Sequence, residues 1–243
     1  MEKYLGLISL HLIGDFYLQS TKVALCKNAK KRQMCVTCKK CEENSWVNYR
    51  YLCIHSLLYT MPFVMGFLIM RNLYAAAITP VLFVAHVIVD ALSCYFYKYK
   101  KQTIVFIIDQ AVHVAIIGWS YKSVKINFEV LCSNFIGLKL VFAGLILVMP
   151  CSVLINKLFR DVYPDNDESG MFDVGAIIGV MERILTFIFA LYGSFPAIAI
   201  IITVKTWART NDLKDKDFRN KYLLGTLTSL VLALVTFAIY ESM

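Results

Sequence analysis

Long, weakly charged apolar runs alternate with short polar or basic stretches along the whole chain. The pattern predicts helical segments at about 4–19, 51–70, 73–97, 103–121, 137–159, 172–192, 194–209 and 222–240. Several of these approach or exceed the roughly 18 residues that cross a bilayer as a helix. The strict alternation of barrel strands is missing, and in lipid a spanning backbone must satisfy its own hydrogen bonds. The expected fold class is all-α, a polytopic transmembrane helical bundle of about eight segments. The first and seventh are short enough to be tilted, re-entrant or partly interfacial. The first carries His11 and Asp15 and lacks a basic leader and a small-residue cleavage pattern, which argues against a signal peptide.

Composition agrees. Of 243 residues, 58% are hydrophobic, against roughly 45–50% in soluble domains. The net charge of +8 then reads mainly as topology. If the loop at 20–50 is cytoplasmic, the same side collects Lys98, Lys100, Lys101, Lys157, Arg160, Lys205, Arg209 and the basic residues of 214–221. The positive-inside rule then puts both termini outside, in the cell (inner or plasma) membrane, with anionic headgroups of the cytoplasmic leaflet as partners. The basic residues are spread over several loops and form no recognisable nucleic-acid module, so nucleic acid is not an expected partner.

The chain reads as one membrane domain, residues 1–243, in two unequal halves. Residues 1–121 hold all four histidines and the basic, cysteine-containing loop at 20–50. Residues 137–243 form a C-terminal helical half with an intramembrane Glu182–Arg183 pair. In the 20–50 loop, Cys35, Cys38 and Cys41 have metal-ligand spacing, and Cys26 is a fourth candidate. Reduced thiols facing the cytosol are the alternative, since a stable disulfide does not suit that compartment.

The chemistry-bearing pattern is a set of spacings. His11/Asp15, His86/Asp90 and Asp109/His113 are each four residues apart, one helical turn, and His55 stands without an acid four residues away. An ionisable group at the centre of a membrane helix costs roughly 2.5–3.5 kcal/mol on the insertion scale. Counted at 1.5 Å per residue from the nearest basic loop residue, Asp15, Asp90 and Asp109 lie at depths of about 10–12 Å. His11, His86 and His113 lie at about 16–18 Å, and His55 at about 8 Å. Aspartates thus share one layer and histidines the next.

Imidazole with carboxylate suits a divalent transition metal, zinc first, with manganese, iron or cobalt as alternatives. One metal on His11, His86 and His113 with aspartates behind them, or two metals sharing the carboxylates, are both open. Asp15, Asp90, Asp109 and Glu182 are the candidate catalytic carboxylates. Gln19 and Gln110 are candidate polar lining. Adjacent residues point about 100° apart on a helix, so Glu182 and Arg183 cannot simply neutralise each other. Arg183, Lys205 and Arg209 are candidate contacts to an anionic substrate, with bundle glue or snorkelling as the plainer roles.

His11-Leu-Ile-Gly-Asp15-Phe16-Tyr-Leu-Gln19, His55, His86-x3-Asp90 and Asp109-Gln110-x2-His113 resemble, in that order, the bacterial and phage-borne membrane proteins grouped as domain of unknown function 3307. Ile178-Gly179-Val-Met-Glu182-Arg183, Lys205-x3-Arg209 and Leu224-Gly225-Thr226-Leu227-x-Ser229 are similar to its later stretches. The cysteine-rich stretch at 33–44 departs from the pattern. The resemblance implies architecture; the family name carries no activity. A further analogy, to membrane-bound metal-dependent hydrolases, rests on the His-x3-Asp style alone. Three functions follow as expectations: a metal-dependent membrane hydrolase acting on a lipid or headgroup-level substrate, an ion- or proton-coupled transporter or channel, and a haem-binding or structural subunit.

Overall fold

The computed structural model describes residues 2–20, 23–24, 45–69, 78–96, 101–123, 135–164 and 174–243. All regular structure among them is helical. In chain order the helices are α1 (Glu2–Leu12), running into a π-helical turn (Ile13–Tyr17), α2 (Ser45–Ile69), α3 (Thr79–Phe96) and α4 (Gln102–Ser123). Then come α5 (Phe135–Val162), α6 (Val174–Leu191), α7 (Phe195–Ala208), a short turn at Asp212–Lys214 and α8 (Lys216–Ser242). Among the described residues, six helices are long and apolar enough to cross a membrane: α2–α6 and α8. The protein is a multi-pass membrane protein with a helical fold, and α1 and α7 are the short members that the sequence anticipates.

The chain divides into two compact units, Met1–Leu138 and Lys139–Met243. In the first, α2 packs on α3, α3 on α4, and α1 with its π turn lies against α2 and α4. Its apolar core is Leu7, Tyr59, Phe63, Phe67, Ile78, Leu82 and Ile117. The sorting of residues is that of a helix in lipid. On α3 the buried stripe is Thr79, Leu82, His86, Asp90 and Ser93, while Val81, Val84, Ile88 and Leu92 are exposed. The helix turns its polar stripe inward and its aliphatic stripe outward, where hydrocarbon is the solvent.

In the second unit α6 packs on both α7 and α8, over a core of Ala143, Leu147, Phe187 and Ala233. The α6–α7 connection is a tight reversal. Gly193 takes φ +64°, its N–H donates to Ala190 O (3.0 Å), and Ser194 N–H donates to Phe189 O (2.8 Å). These bonds satisfy the last carbonyls of α6, and glycine takes the left-handed position without a Cβ penalty. Pro196 in the first turn of α7 restarts the helix where a missing N–H costs nothing. The last helix begins at Lys216, six residues before the sequence pattern places it. Asp215 caps it by accepting from Asp217 N (2.7 Å) and Phe218 N (3.0 Å).

Candidate functional site

All four histidines and the three aspartates of the sequence pattern converge in the first unit, and all seven are buried. α1 supplies His11, its π turn Asp15, α2 His55, α3 His86 and Asp90, and α4 Asp109 and His113.

The expected pairing along each helix is not what joins them. His86 Nε2 stands 3.8 Å from Asp90 Oδ2, and His113 Nδ1 3.8 Å from Asp109 Oδ2, both beyond hydrogen-bond reach. The short contacts run between helices. His55 Nε2 lies 3.0 Å from Asp15 Oδ1 and 3.4 Å from Asp90 Oδ2. His55, which has no acid on its own helix face, therefore makes the tightest imidazole–carboxylate contact. His11 turns instead to Gln110, with Nε2 3.2 Å from Oε1.

The π turn is the reason. Leu18 N–H bonds back to Ile13 O, five residues earlier, so the wider turn rotates Asp15 off the face that carries His11. Gly14 makes that placement possible. A Cβ there would sit 2.5 Å from the Tyr59 carbonyl oxygen and 3.0 Å from Tyr59 Cα. Only glycine lets the two backbones close to this distance.

Gln110 ties the cluster together from α4. Its amide donates to Asp15 Oδ2 (2.8 Å) and to Asp109 Oδ2 (3.2 Å). Ser93 on α3 donates to Asp109 Oδ1 at 2.5 Å. His113 Nδ1–H donates to the Asp109 backbone carbonyl (2.9 Å), which leaves the lone pair on Nε2. That Nε2 is buried and has no hydrogen-bond partner, and neither nitrogen of His86 has one. The His86 ring lies flat on Tyr59, with centroids 3.8 Å apart and planes 4° apart, so its direction is fixed by stacking rather than hydrogen bonding.

A buried polar nitrogen without a partner costs about 1–3 kcal/mol, and such atoms are rare in folded interiors. Here His86 Nε2 stands 3.9 Å from Asp15 Oδ1 and 3.8 Å from Asp90 Oδ2. Asp15, His55 and His86 bring ligand atoms within 4.8 Å of one another, and so do His86, Asp90 and His113. His86 is common to both groups. The set is nitrogen and carboxylate oxygen, with an outer hydrogen bond orienting His113, which is how imidazole ligands are held at metal sites. His11 and Asp109 fall outside both groups and act as neighbours of the donors.

A family model described as Protein of unknown function (DUF3307) matches residues 4–142. The chain belongs to that family. The DUF3307 match spans every residue of the His/Asp cluster and ends before Glu182 and Arg183. No curated protein and no solved structure matches the chain.

The remaining sequence candidates make other contacts. Gln19, with its amide oriented to satisfy both ends, donates to the Asp15 backbone carbonyl (3.1 Å) and accepts from Ala24 N (3.3 Å). It braces the chain after the π turn instead of lining the cluster. Glu182 belongs to the second unit, where Lys205 Nζ meets its Oε2 at 2.6 Å. Arg183 is buried and donates from Nε to Leu147 O (2.8 Å) and from Nη2 to Ser152 Oγ (2.6 Å), with Ser229 Oγ 3.4 Å from Nη1. Arg209 lies over the Phe218 ring at 5.9 Å. Cys26, Cys35, Cys38 and Cys41 lie outside the described residues. Sequence reasoning missed Tyr59, Ser93 and Gly14. Tyr59 is four residues after His55 and Ser93 three after Asp90, so helical spacing put both within reach of the argument.

Proposed function

We propose that this DUF3307 protein is an integral-membrane, metal-dependent hydrolase that acts on a lipid or headgroup-level substrate through the His/Asp cluster. The observation that carries the reading is the unpartnered lone pair on His113 Nε2, beside a His86 ring with both nitrogens unpartnered, among buried carboxylates. Asp15, His55 and His86 form one donor set, and His86, Asp90 and His113 a second. These residues would hold a divalent metal, zinc first, with manganese, iron or cobalt as alternatives, which would supply Lewis-acid polarisation of an ester or phosphate and an activated water. Asp109 and Gln110 orient the donors. Asp15 and Asp90 are the carboxylates placed to accept a proton. The basic loop charges support a cell-membrane location with the 20–50 loop cytoplasmic and both termini outside. In that orientation the cluster lies toward the inner leaflet, at the level of lipid ester and phosphate groups.

A second reading, an ion- or proton-coupled transporter, is favoured by one feature. Asp109, Gln110, Asp15 and His55 form a continuous line of contacts of 2.8–3.2 Å through the unit. One paired experiment separates the two. Protein reconstituted in nanodiscs of extracted lipid is followed by mass spectrometry with zinc loaded and with zinc chelated, and proteoliposomes of the same protein are assayed for proton and cation flux. Zinc-dependent lipid cleavage lost in Asp90→Asn, without flux, supports hydrolysis. Flux lost in Asp90→Asn, with no lipid product, replaces hydrolysis with transport.

A further inference from the structure

The second unit contains a half-open cavity of about 270 Å³ outside the His/Asp cluster. Its lining contains four cations, Arg183, Lys205, Arg209 and Lys221, and one carboxylate, Glu182. Lys205 is matched to Glu182 at 2.6 Å and also reaches Thr226 Oγ1 at 3.2 Å. Arg183 is hydrogen-bonded but not neutralised. Its partners are a carbonyl and two hydroxyls, and among the described residues no carboxylate lies within 4 Å of it. A guanidinium has five N–H groups. Three bonds leave two for the cavity it lines. A cation buried to 3% exposure in a membrane unit calls for a counter-charge.

The walls are shaped to admit one. Gly179 and Gly225 line the cavity. A Cβ at Gly179 would touch Arg183 Nη1 at 3.4 Å, so glycine keeps the guanidinium face bare. Ser152, Ser229 and Thr226 add hydroxyls at the same wall. Donors that line one small space from several helices suit a tetrahedral anion with oxygens in every direction better than a planar carboxylate. Arginine forks with a point-charge lysine beside them are a common phosphate-binding set.

We infer that the Arg183 cavity binds a phosphate group, either as a phospholipid headgroup or as a free phosphate or phosphomonoester, and that Glu182 lowers its affinity by holding Lys205. This site is independent of the metal reading: it lies wholly within the second unit and stands or falls without the histidines.

The test uses full-length protein in a neutral detergent. Inorganic phosphate is titrated by calorimetry against a chloride control of equal ionic strength, and native mass spectrometry records retention of phosphatidic acid against phosphatidylcholine. Saturable phosphate binding identifies the free-anion source. Selective retention of phosphatidic acid without it identifies the lipid source. In either case Arg183→Gln and Arg209→Gln should weaken binding about tenfold or more, the scale of one charge-assisted hydrogen bond. Glu182→Gln should strengthen it. Should Arg183→Gln fail to fold, Arg209→Gln and Glu182→Gln carry the test. The inference is overturned if neither probe binds, or if binding is indifferent to both of those substitutions.

Discussion

Each unit buries ionisable groups in apolar surroundings, and they do it in opposite ways. In the second unit the Arg183 guanidinium has all three nitrogens bonded, to Leu147 O, Ser152 Oγ and Ser229 Oγ, and what remains unmet is its charge together with two N–H groups. In the first unit charge is mixed, with imidazoles set among aspartates, and what remains unmet is ring nitrogens: Nδ1 of His11 and of His55, both nitrogens of His86 and Nε2 of His113. An unmet charge suits a diffuse counter-ion held by electrostatics. Unmet lone pairs at fixed directions suit coordination. The two proposals therefore assign the units different ligands, an anion in one and a metal cation in the other.

The contrast can be broken most severely at Gly14. Gly14→Ala drives a Cβ to 2.5 Å from the Tyr59 carbonyl oxygen, backbone against side chain, with no flexible group to yield. The expected cost is about 1–3 kcal/mol or more, read as a fall in thermal unfolding temperature in detergent together with loss of bound metal. Next in size is Arg183→Met. It leaves Ser152 and Ser229 facing an apolar chain and should destabilise by about 1–3 kcal/mol in the same assay. His86→Leu should do the reverse to the metal-free protein. It removes two unpartnered buried nitrogens at similar volume, so the metal-free variant should be more stable than metal-free wild type by about 1 kcal/mol. Opposite signs at Arg183 and His86 sharpen the comparison; equal signs would erase it.

The smallest effect lies at Asp215, outside the membrane segments. The N–H groups of Phe218 and Asp217 hold its carboxyl below the usual carboxylate range. A depressed folded-state value means that its contribution is present at neutral pH and is lost as pH falls through that value. Asp215→Ala should therefore melt slightly below wild type at neutral pH, and the gap should close in strong acid.

How much of this was legible in the sequence follows from what each feature depends on. Segment positions depend on runs of local hydropathy, so the six long helices and the short α1 and α7 could be read directly. The inward face of α3 was also readable, because His86, Asp90 and Ser93 are set by helical spacing. The partner of His55 was not. Its contacts come from the π turn and from α3, and nothing near His55 in the chain encodes them. The contact of Asp15 with His55 is hidden by its four-residue spacing from His11, because the turn widens there, and Gly14 is the local signal of it. The Arg183 cage was hidden for a like reason: its acceptors are one backbone carbonyl and two serines from other helices, groups without a distinctive spacing.

The central claim is that the unmet imidazole nitrogens exist to hold a metal. The most direct measurement is elemental analysis of protein purified without chelators and without a polyhistidine tag, wild type beside His86→Leu. Near-stoichiometric transition metal, zinc foremost, is expected in wild type, with its loss in the variant. No bound metal after zinc reconstitution, or equal metal in both proteins, would contradict it.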